Sequence, residues 1–274
     1  MRCLAPAKLN LFLHITGRRG DGYHDLETVF QLVDLCDELH IDARQDGRIC
    51  REPAPDDALL SALRDDQDLT VRAARLLQQA TGVASGANIH VRKRIPAGGG
   101  LGGGSSDAAT VLLALNRLWG LDWSRDRLAQ LAVQLGADVP VFVQGRSAFG
   151  RGRGEELTPI DLPQRWFVIA DPGVPVSTRE IFSAPELTRN TAPLRIAALP
   201  ADGGHNDCEP VVRIRYPQVA RVLDLLAPHG GRLTGTGGCV FASLESPEQA
   251  DLLAQQLSGQ VRVFVARGLP HAPP

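Results

Sequence analysis

Between residues 96 and 106 the chain reads Pro-Ala-Gly-Gly-Gly-Leu-Gly-Gly-Gly-Ser-Ser, with six glycines in seven consecutive positions. Backbone without Cβ atoms can take positive φ and can come closer to another group than any other backbone. Successive N–H groups in such a segment can converge on one concavity that binds anions. The flanks set the context. Ala87 to Val91 reads as a short strand entering the run. Ala108, Leu112, Leu115 and Trp119 recur at helical spacing behind it, which predicts a helix from Ser105 with Ser105 or Ser106 as its cap. A helix start adds unpaired amides and a positive dipole end. Polyphosphate is the ligand this arrangement predicts. A strand on one side and a helix on the other argue against a plain flexible linker.

Familiar phosphate loops do not fit. Gly98, Gly100 and Gly103 match G-x-G-x-x-G, but a dinucleotide fold wants a strand and an acidic residue about 20 positions on. Asp122 and Asp126 lie near that distance behind a helix and a Trp-Gly turn. Gly103 is followed by Gly104 where a Walker loop needs lysine. No His-Arg-Asp or Asp-Phe-Gly sequence marks a protein kinase.

The remaining pattern is irregular. Leu11, Leu13 and Ile15 alternate as in a strand, and Leu69, Ala73, Leu76 and Leu77 repeat as in a helix. Leu128, Leu131, Ala132 and Leu135 predict a helix capped by Ser124 and stopped by Gly136. Beyond Pro159 and Pro163 come strands at Phe167 to Ala170, Val240 to Ala242 and Val261 to Val265. Helices are expected around Val219 to Leu226 and over Glu248 to Leu257, and a second glycine turn over Leu233 to Gly238. This order predicts an α+β chain with a boundary near residues 155–163, giving halves 1–158 and 159–274.

A net charge of −2 over 274 residues provides no global field for nucleic acid or an anionic membrane, although Arg92, Lys93 and Arg94 form a local basic run. Five cysteines without a CxxC pair argue against a disulfide framework or a structural zinc site and suit reduced thiols in a cytosol. No run of about 18 apolar residues and no signal-peptide pattern is present, so the expected location is cytoplasmic.

Three stretches together resemble the GHMP small-molecule kinases: Ala5-Pro-Ala-Lys-Leu-Asn-Leu11, Pro96 to Ser106 followed by Asp107-Ala-Ala, and Leu233-Thr-Gly-Thr-Gly-Gly-Cys239. Arg19-Gly-Asp-Gly-Tyr-His24, Leu135-Gly-Ala-Asp-Val-Pro-Val-Phe142 and Asn206-Asp-Cys-Glu-Pro210 are similar to the subgroup that phosphorylates the 2-hydroxyl of a cytidine diphosphate-linked methylerythritol. The resemblance implies a two-domain fold, with a half like the second domain of ribosomal protein S5 and a ferredoxin-like half. It implies ATP and Mg²⁺, a small-molecule acceptor in the non-mevalonate route to isoprenoid precursors, and no nucleic acid or membrane partner. A weak homodimer stays open.

Site roles follow on the same basis. Asp138 lies in an apolar stretch where a buried acid needs a partner, and Lys8 is its natural partner. The two are the expected catalytic pair. ATP is assigned to Lys93, Pro96, Ala97, Gly98, Gly99, Gly100, Leu101, Gly102, Gly103, Gly104, Ser105 and Ser106. The chain has only two tyrosines, and Tyr23 sits in a polar glycine turn where core packing explains it poorly. Tyr23 and Phe182 are expected to sandwich a cytosine ring, with His24 bonding its edge. Asn10, Thr178, Thr236 and Gly237 complete the expected acceptor side. The Mg²⁺ ligands stay open between Ser105 and Ser106, with most ligation through phosphates and water.

Two departures from the family pattern stand out. Asp68-Leu-Thr-Val replaces an expected Asn-Leu-Ile-Val, and residues 44–54 are unusually polar for a nucleotide border. Two rival functions are a GHMP kinase for another alcohol, such as homoserine or mevalonate, and a non-catalytic metabolite sensor. The Tyr23–His24 pair argues against the first, and retention of both Lys8 and Asp138 against the second.

Overall fold

The computed structural model describes residues 1–52, 63–194 and 204–273. Its strands in chain order are β1 (Arg2–Arg18), β2 (His24–Arg44), β3 (Ile49–Arg51), β4 (Gly86–Arg92), β5 (Ala148–Arg151), β6 (Glu156–Pro159), β7 (Trp166–Asp171), β8 (Arg232–Leu233), β9 (Val240–Leu244) and β10 (Arg262–Leu269). Its helices are α1 (Leu69–Thr81), α2 (Gly103–Leu118), α3 (Arg125–Ala132), α4 (Val139–Gln144), α5 (Thr178–Phe182), α6 (Glu209–Arg215), α7 (Pro217–Leu226) and α8 (Pro247–Leu257). The segregated strands and helices make this α+β, as the sequence indicates.

The organising strand is β2. It pairs with β1 along one edge. Its other edge serves β5, β10 and β4 in succession. Because β10 also pairs with β7, the last strand ties the two halves into one sheet. Two register shifts in β1, at Pro6/Ala7 and Asn10/Leu13, bracket the segment that carries Lys8 and Asn10. Such bulges re-aim side chains, and Pro6 has no N–H to give the ladder. Period-2 alternation then sends Leu9 into the core while Lys8 and Asn10 share the opposite face.

Several local expectations need correction. The helix behind the glycine run, α2, starts at Gly103, two residues before Ser105, with Gly102 at its N-cap and no side-chain cap. Two helical glycines cost about 1 kcal/mol each. Burial of Val111, Leu112 and Leu115, at roughly 1.5–3 kcal/mol apiece, outweighs that cost. Helix α3 is capped by Ser124 as expected but ends at Ala132, before Gly136. The sequence reading found only part of β1 and nothing of β2, whose buried run on both faces lacks alternation.

The glycine run docks against the second glycine turn, backbone to backbone. Gly98 O accepts from Gly238 N (3.2 Å), and Gly99 O accepts from Cys239 N (3.1 Å). A Cβ on Gly100 (φ +77°) would lie 2.1 Å from Thr234 O, and one on Gly237 would lie 2.0 Å from Gly100 N. Gly100→Ala should therefore lower the unfolding free energy by roughly 2–4 kcal/mol, through left-handed strain plus overpacking. Gly20→Ala, with nothing within 4 Å of the added atom, should stay within about 0.5 kcal/mol of the parent. Urea denaturation of both variants checks this; equal midpoints would contradict the docking.

Candidate active site

A cavity of about 900 Å³ opens along the glycine run. Its wall includes Lys8, Lys93, residues 96–105, Asp138, Thr178, Phe182 and Thr236. The loop's polarity is one-sided. The carbonyls of Gly98, Gly99, Gly100, Leu101 and Gly102 all accept hydrogen bonds from the protein. By contrast, the N–H groups of Gly100 to Ser105 donate to no partner among the described residues. Those of Gly103 to Ser105 are the free amides of a helix start, and all six lie on the cavity wall, where converging N–H groups can receive an anion.

Lys8 is 3% exposed and is held from three sides. Its Nζ donates to Gly100 O (2.9 Å) and to Asn10 Oδ1, and it pairs with Asp138 Oδ2 at 3.4 Å. The same strand residue donates its backbone N–H to Leu101 O (3.0 Å). The ammonium is thus fixed to the loop by both its main chain and its side chain. Asp138 sits at the N-cap of α4, a helix the sequence reading missed, yet its carboxylate caps no amide. That removes the simple helix-capping account of this acid. Its side chain pairs with Lys8 and is 35% exposed on the cavity wall.

Lys93 lies just past β4, so strand alternation does not position it. It is not a solvated surface lysine: Nζ bridges Asp37 and Asp107 (2.6 Å to Asp107 Oδ2). Asp37 also accepts from Arg94 N and Ile95 N, which pins the entry to the glycine run. Two buried carboxylates share one ammonium here. Burial is the main cause that pushes the Asp107 carboxyl up to about 7; Lys93 opposes it and Asp37 adds to it. Lys93 is itself raised, because its two carboxylates outweigh the burial that lists against its charge. Neither Asp37 nor Asp107 was singled out from sequence. Asp107 was in the quoted motif, but nothing local to Asp37 signals that it meets a lysine 56 positions away.

The acceptor side is partly rearranged relative to expectation. Asn10 lines the cavity, but its side chain is occupied, accepting from Lys8 and donating to Thr28 Oγ1 (2.8 Å). It orients the lysine. Thr178 and Thr236, both in the second half, join hydroxyl to hydroxyl at 2.8 Å on the cavity wall. Gly237 is not on the cavity wall: its N–H donates to Thr234 O and its Cα packs on the Gly99–Gly100 backbone. Gly235 takes the wall position, supported by Asn206, which donates to Gly235 O (2.7 Å). Phe182 lines the cavity and stacks on His24 with ring centroids 5.1 Å apart. Tyr23 is 55% exposed, and its ring lies 4.9 Å from the Arg153 guanidinium carbon rather than opposite Phe182. Ser106 is fully buried, whereas Ser105 reaches the cavity wall.

The Asp68 departure has a local counterpart. Asp68 Oδ1 caps α1 through Thr70 N (2.8 Å), while Oδ2 pairs with the nearly buried Arg51 at 2.5 Å. An arginine from the polar stretch thus supplies the charge that an asparagine would not need. Residues 53 and 54 of that stretch lie outside the described residues.

Comparison with known proteins places these features in a lineage. Residues 68–146 match the profile described as GHMP kinases N terminal domain, and residues 186–262 match GHMP kinases C terminal. A 4-diphosphocytidyl-2-C-methyl-D-erythritol kinase from Thiobacillus denitrificans is 57% identical over 98% of this chain and 95% of its own length. One of the same name from Pseudomonas aeruginosa is 52% identical over 96% of this chain and 92% of its own. A crystal structure of 4-(cytidine 5'-diphospho)-2C-methyl-D-erythritol kinase superposes with TM-score 0.81 at 36% identity, covering 98% of this chain and 99% of its own. A homoserine kinase from Cytophaga hutchinsonii shares the fold at TM-score 0.73 and 18% identity, covering 99% of this chain and 95% of its own.

The Asp107 environment gives a pH prediction. Its folded-state pKa lies above the ordinary 3.8 of the unfolded chain. The folded protein holds that proton more tightly, so this group's contribution to stability falls as pH climbs from about 4 to about 7. Asp107→Asn should remove that component. Measured by denaturation across this range, the stability of the variant relative to the parent should rise with pH, by at most about 1.4 kcal/mol per unit. A difference that is flat or falls with pH would contradict the shared-proton cluster.

Proposed function

Because the chain belongs to the GHMP kinase family, we propose that it transfers the γ-phosphoryl group of ATP to the 2-hydroxyl of 4-diphosphocytidyl-2-C-methyl-D-erythritol, a step toward isoprenoid precursors. The observation that carries the chemistry is the meeting of the Lys8–Asp138 pair, 3.4 Å apart, with the unpaired amides of Gly100 to Ser105 in one cavity. The acceptor is narrowed by relatives of that name at 51–57% identity over nearly the whole chain. The fold alone would not narrow it, since homoserine and mevalonate kinases share it at 16–18% identity.

Phosphoryl transfer passes through a loose transition state, so the protein's work is mainly positioning and charge stabilisation. The free amides and the positive end of α2 hold the phosphate oxygens. Lys8, fixed by Gly100 O, Asn10 and Asp138, sits where the acceptor oxygen and the moving phosphoryl group meet. Asp138 orients the acceptor hydroxyl and takes its proton as the new P–O bond forms and the bond to ADP breaks. Thr178 and Thr236 lie where the acceptor's diphosphate would pass, and Phe182 offers its base an aromatic face. We place nucleotide handling in residues 1–158 and acceptor handling mainly in 159–274.

Mg²⁺ fits this site through its phosphates. Among the described residues no cluster of three or more His, Cys, Asp or Glu side chains could hold a metal. Ser105, on the cavity wall, is the hydroxyl that would reach the ion, and most ligation would come from phosphate and water oxygens. The ion supplies charge neutralisation on the phosphates.

ADP release with the cytidylylated erythritol, homoserine and mevalonate as acceptors tests the reading. Turnover is expected with the first alone, and no ADP with any acceptor would favour a sensor. Asp138→Asn should lower kcat by about 10²–10⁴-fold with a small change in KM. Near-normal turnover at saturating acceptor would remove Asp138 from the reaction. Lys8→Met should lower kcat by a similar factor, about 10² or more.

A further inference from the structure

A single guanidinium underlies the acceptor side. Arg189 Nε donates to His24 Nε2 at 3.0 Å. Its Nη1 donates to Leu187 O (2.9 Å), and its Nη2 donates to Phe182 O (3.1 Å) and Ala184 O (2.6 Å). These bonds hold the ring of His24 and the backbone of Phe182 in one unit, with the two rings stacked at an interplanar angle of 25°.

The chemistry of the pair fixes the imidazole. An arginine side chain has donors only, and it stays charged. The nitrogen it meets must therefore present a lone pair, so the His24 proton cannot be on Nε2. A second proton is also disfavoured: His24 is 8% exposed, and burial, then the charges of Arg189 and Arg18, push its pKa down, with Asp25 opposing. The ring is neutral, with its proton on Nδ1. That nitrogen bonds no other described residue. His24 is not itself on the cavity wall, but it stacks on Phe182, which is, and the one polar atom it has left for a ligand is a donor.

We propose that Arg189 is a positioning residue that sets base specificity by locking His24 as the Nδ1–H tautomer. The inference rests on the reading that the acceptor carries a cytidylyl group. Cytosine presents an acceptor at N3, and a lone donor aimed there pairs with it; O2, an acceptor in both bases, does not discriminate. Uracil carries a proton at N3, so donor would face donor. A site built to hydrogen-bond one partner rejects the mismatched isostere because a buried polar group is left unpaired, here roughly 10- to 100-fold. Without Arg189 the imidazole is free to move its proton to Nε2 and turn a lone pair to the base, and the preference is lost.

The test measures cytidine diphosphate and uridine diphosphate binding by calorimetry, with the nucleotide site filled by a non-hydrolysable ATP analogue. The parent should prefer the cytidine ligand by at least about tenfold, and folded Arg189→Met should bring the ratio toward one. An unchanged ratio in folded Arg189→Met overturns the proposal. Should that variant not fold, ¹⁵N NMR of the parent decides: a protonated Nδ1 and bare Nε2 on His24 support it, and the reverse tautomer overturns it. Absence of turnover with the cytidylylated acceptor despite cytidine-selective binding would count against the proposed reaction and leave the tautomer assignment standing.

Discussion

The site depends on backbone meeting backbone where Gly99 and Gly100 pack on Gly237. No side chain fits between these loops: a Cβ on Gly99 would lie 2.5 Å from Cys239 Sγ, and one on Gly237 would lie 2.2 Å from Gly99 C. The contact sorts the polarity of the run. Carbonyls turn toward the second loop, strand β1 and Lys8, and amides are left for the cavity.

Charge is arranged in two groups around this frame. Lys8 and Asp138 sit at the cavity with room for a third participant. Lys93, Asp37 and Asp107 form the second group at the entry to the glycine run, with Lys93 and Asp107 on the cavity wall and exposure at most 3% for both acids. This group carries one more carboxylate than ammonium, so the proton affinity of Asp107 is raised, and Asp37 pins the loop entry through Arg94 N and Ile95 N. A lysine thus stands near each end of the glycine run, and only Lys8 also pairs with a partly exposed carboxylate.

Much of this was legible in the sequence, and the failures have physical causes. The glycine run on the cavity wall and the α+β order could be read because glycine density and periodicity are local signals, and the contact of Lys8 with Asp138 was expected from the family resemblance. Strand β2 was not, because both its faces are buried and the period-2 signal vanishes. The helix start moved to Gly103 because Gly102 in the left-handed conformation turns the chain without a serine cap. Asn10 and Gly237 lie in the right motifs, but long-range contacts set their roles: Asn10 against Lys8 and Thr28, Gly237 against Gly100. Asp37 and Arg189 have no local signature at all. Asp37 meets Lys93 56 positions on, and Arg189, besides its local carbonyls, meets His24 165 positions back, separations only the fold resolves.

Backbone amide NMR on nucleotide binding tests this physical account most directly. When a non-hydrolysable ATP analogue is added, the N–H resonances of Gly100 to Ser105 should shift strongly and their hydrogen exchange should slow. The amides of Gly238 and Cys239, already bonded to the loop carbonyls, should hardly change. Saturating nucleotide with unmoved resonances and unprotected amides over residues 100–105 would show that the phosphates lie elsewhere, and the account would fail.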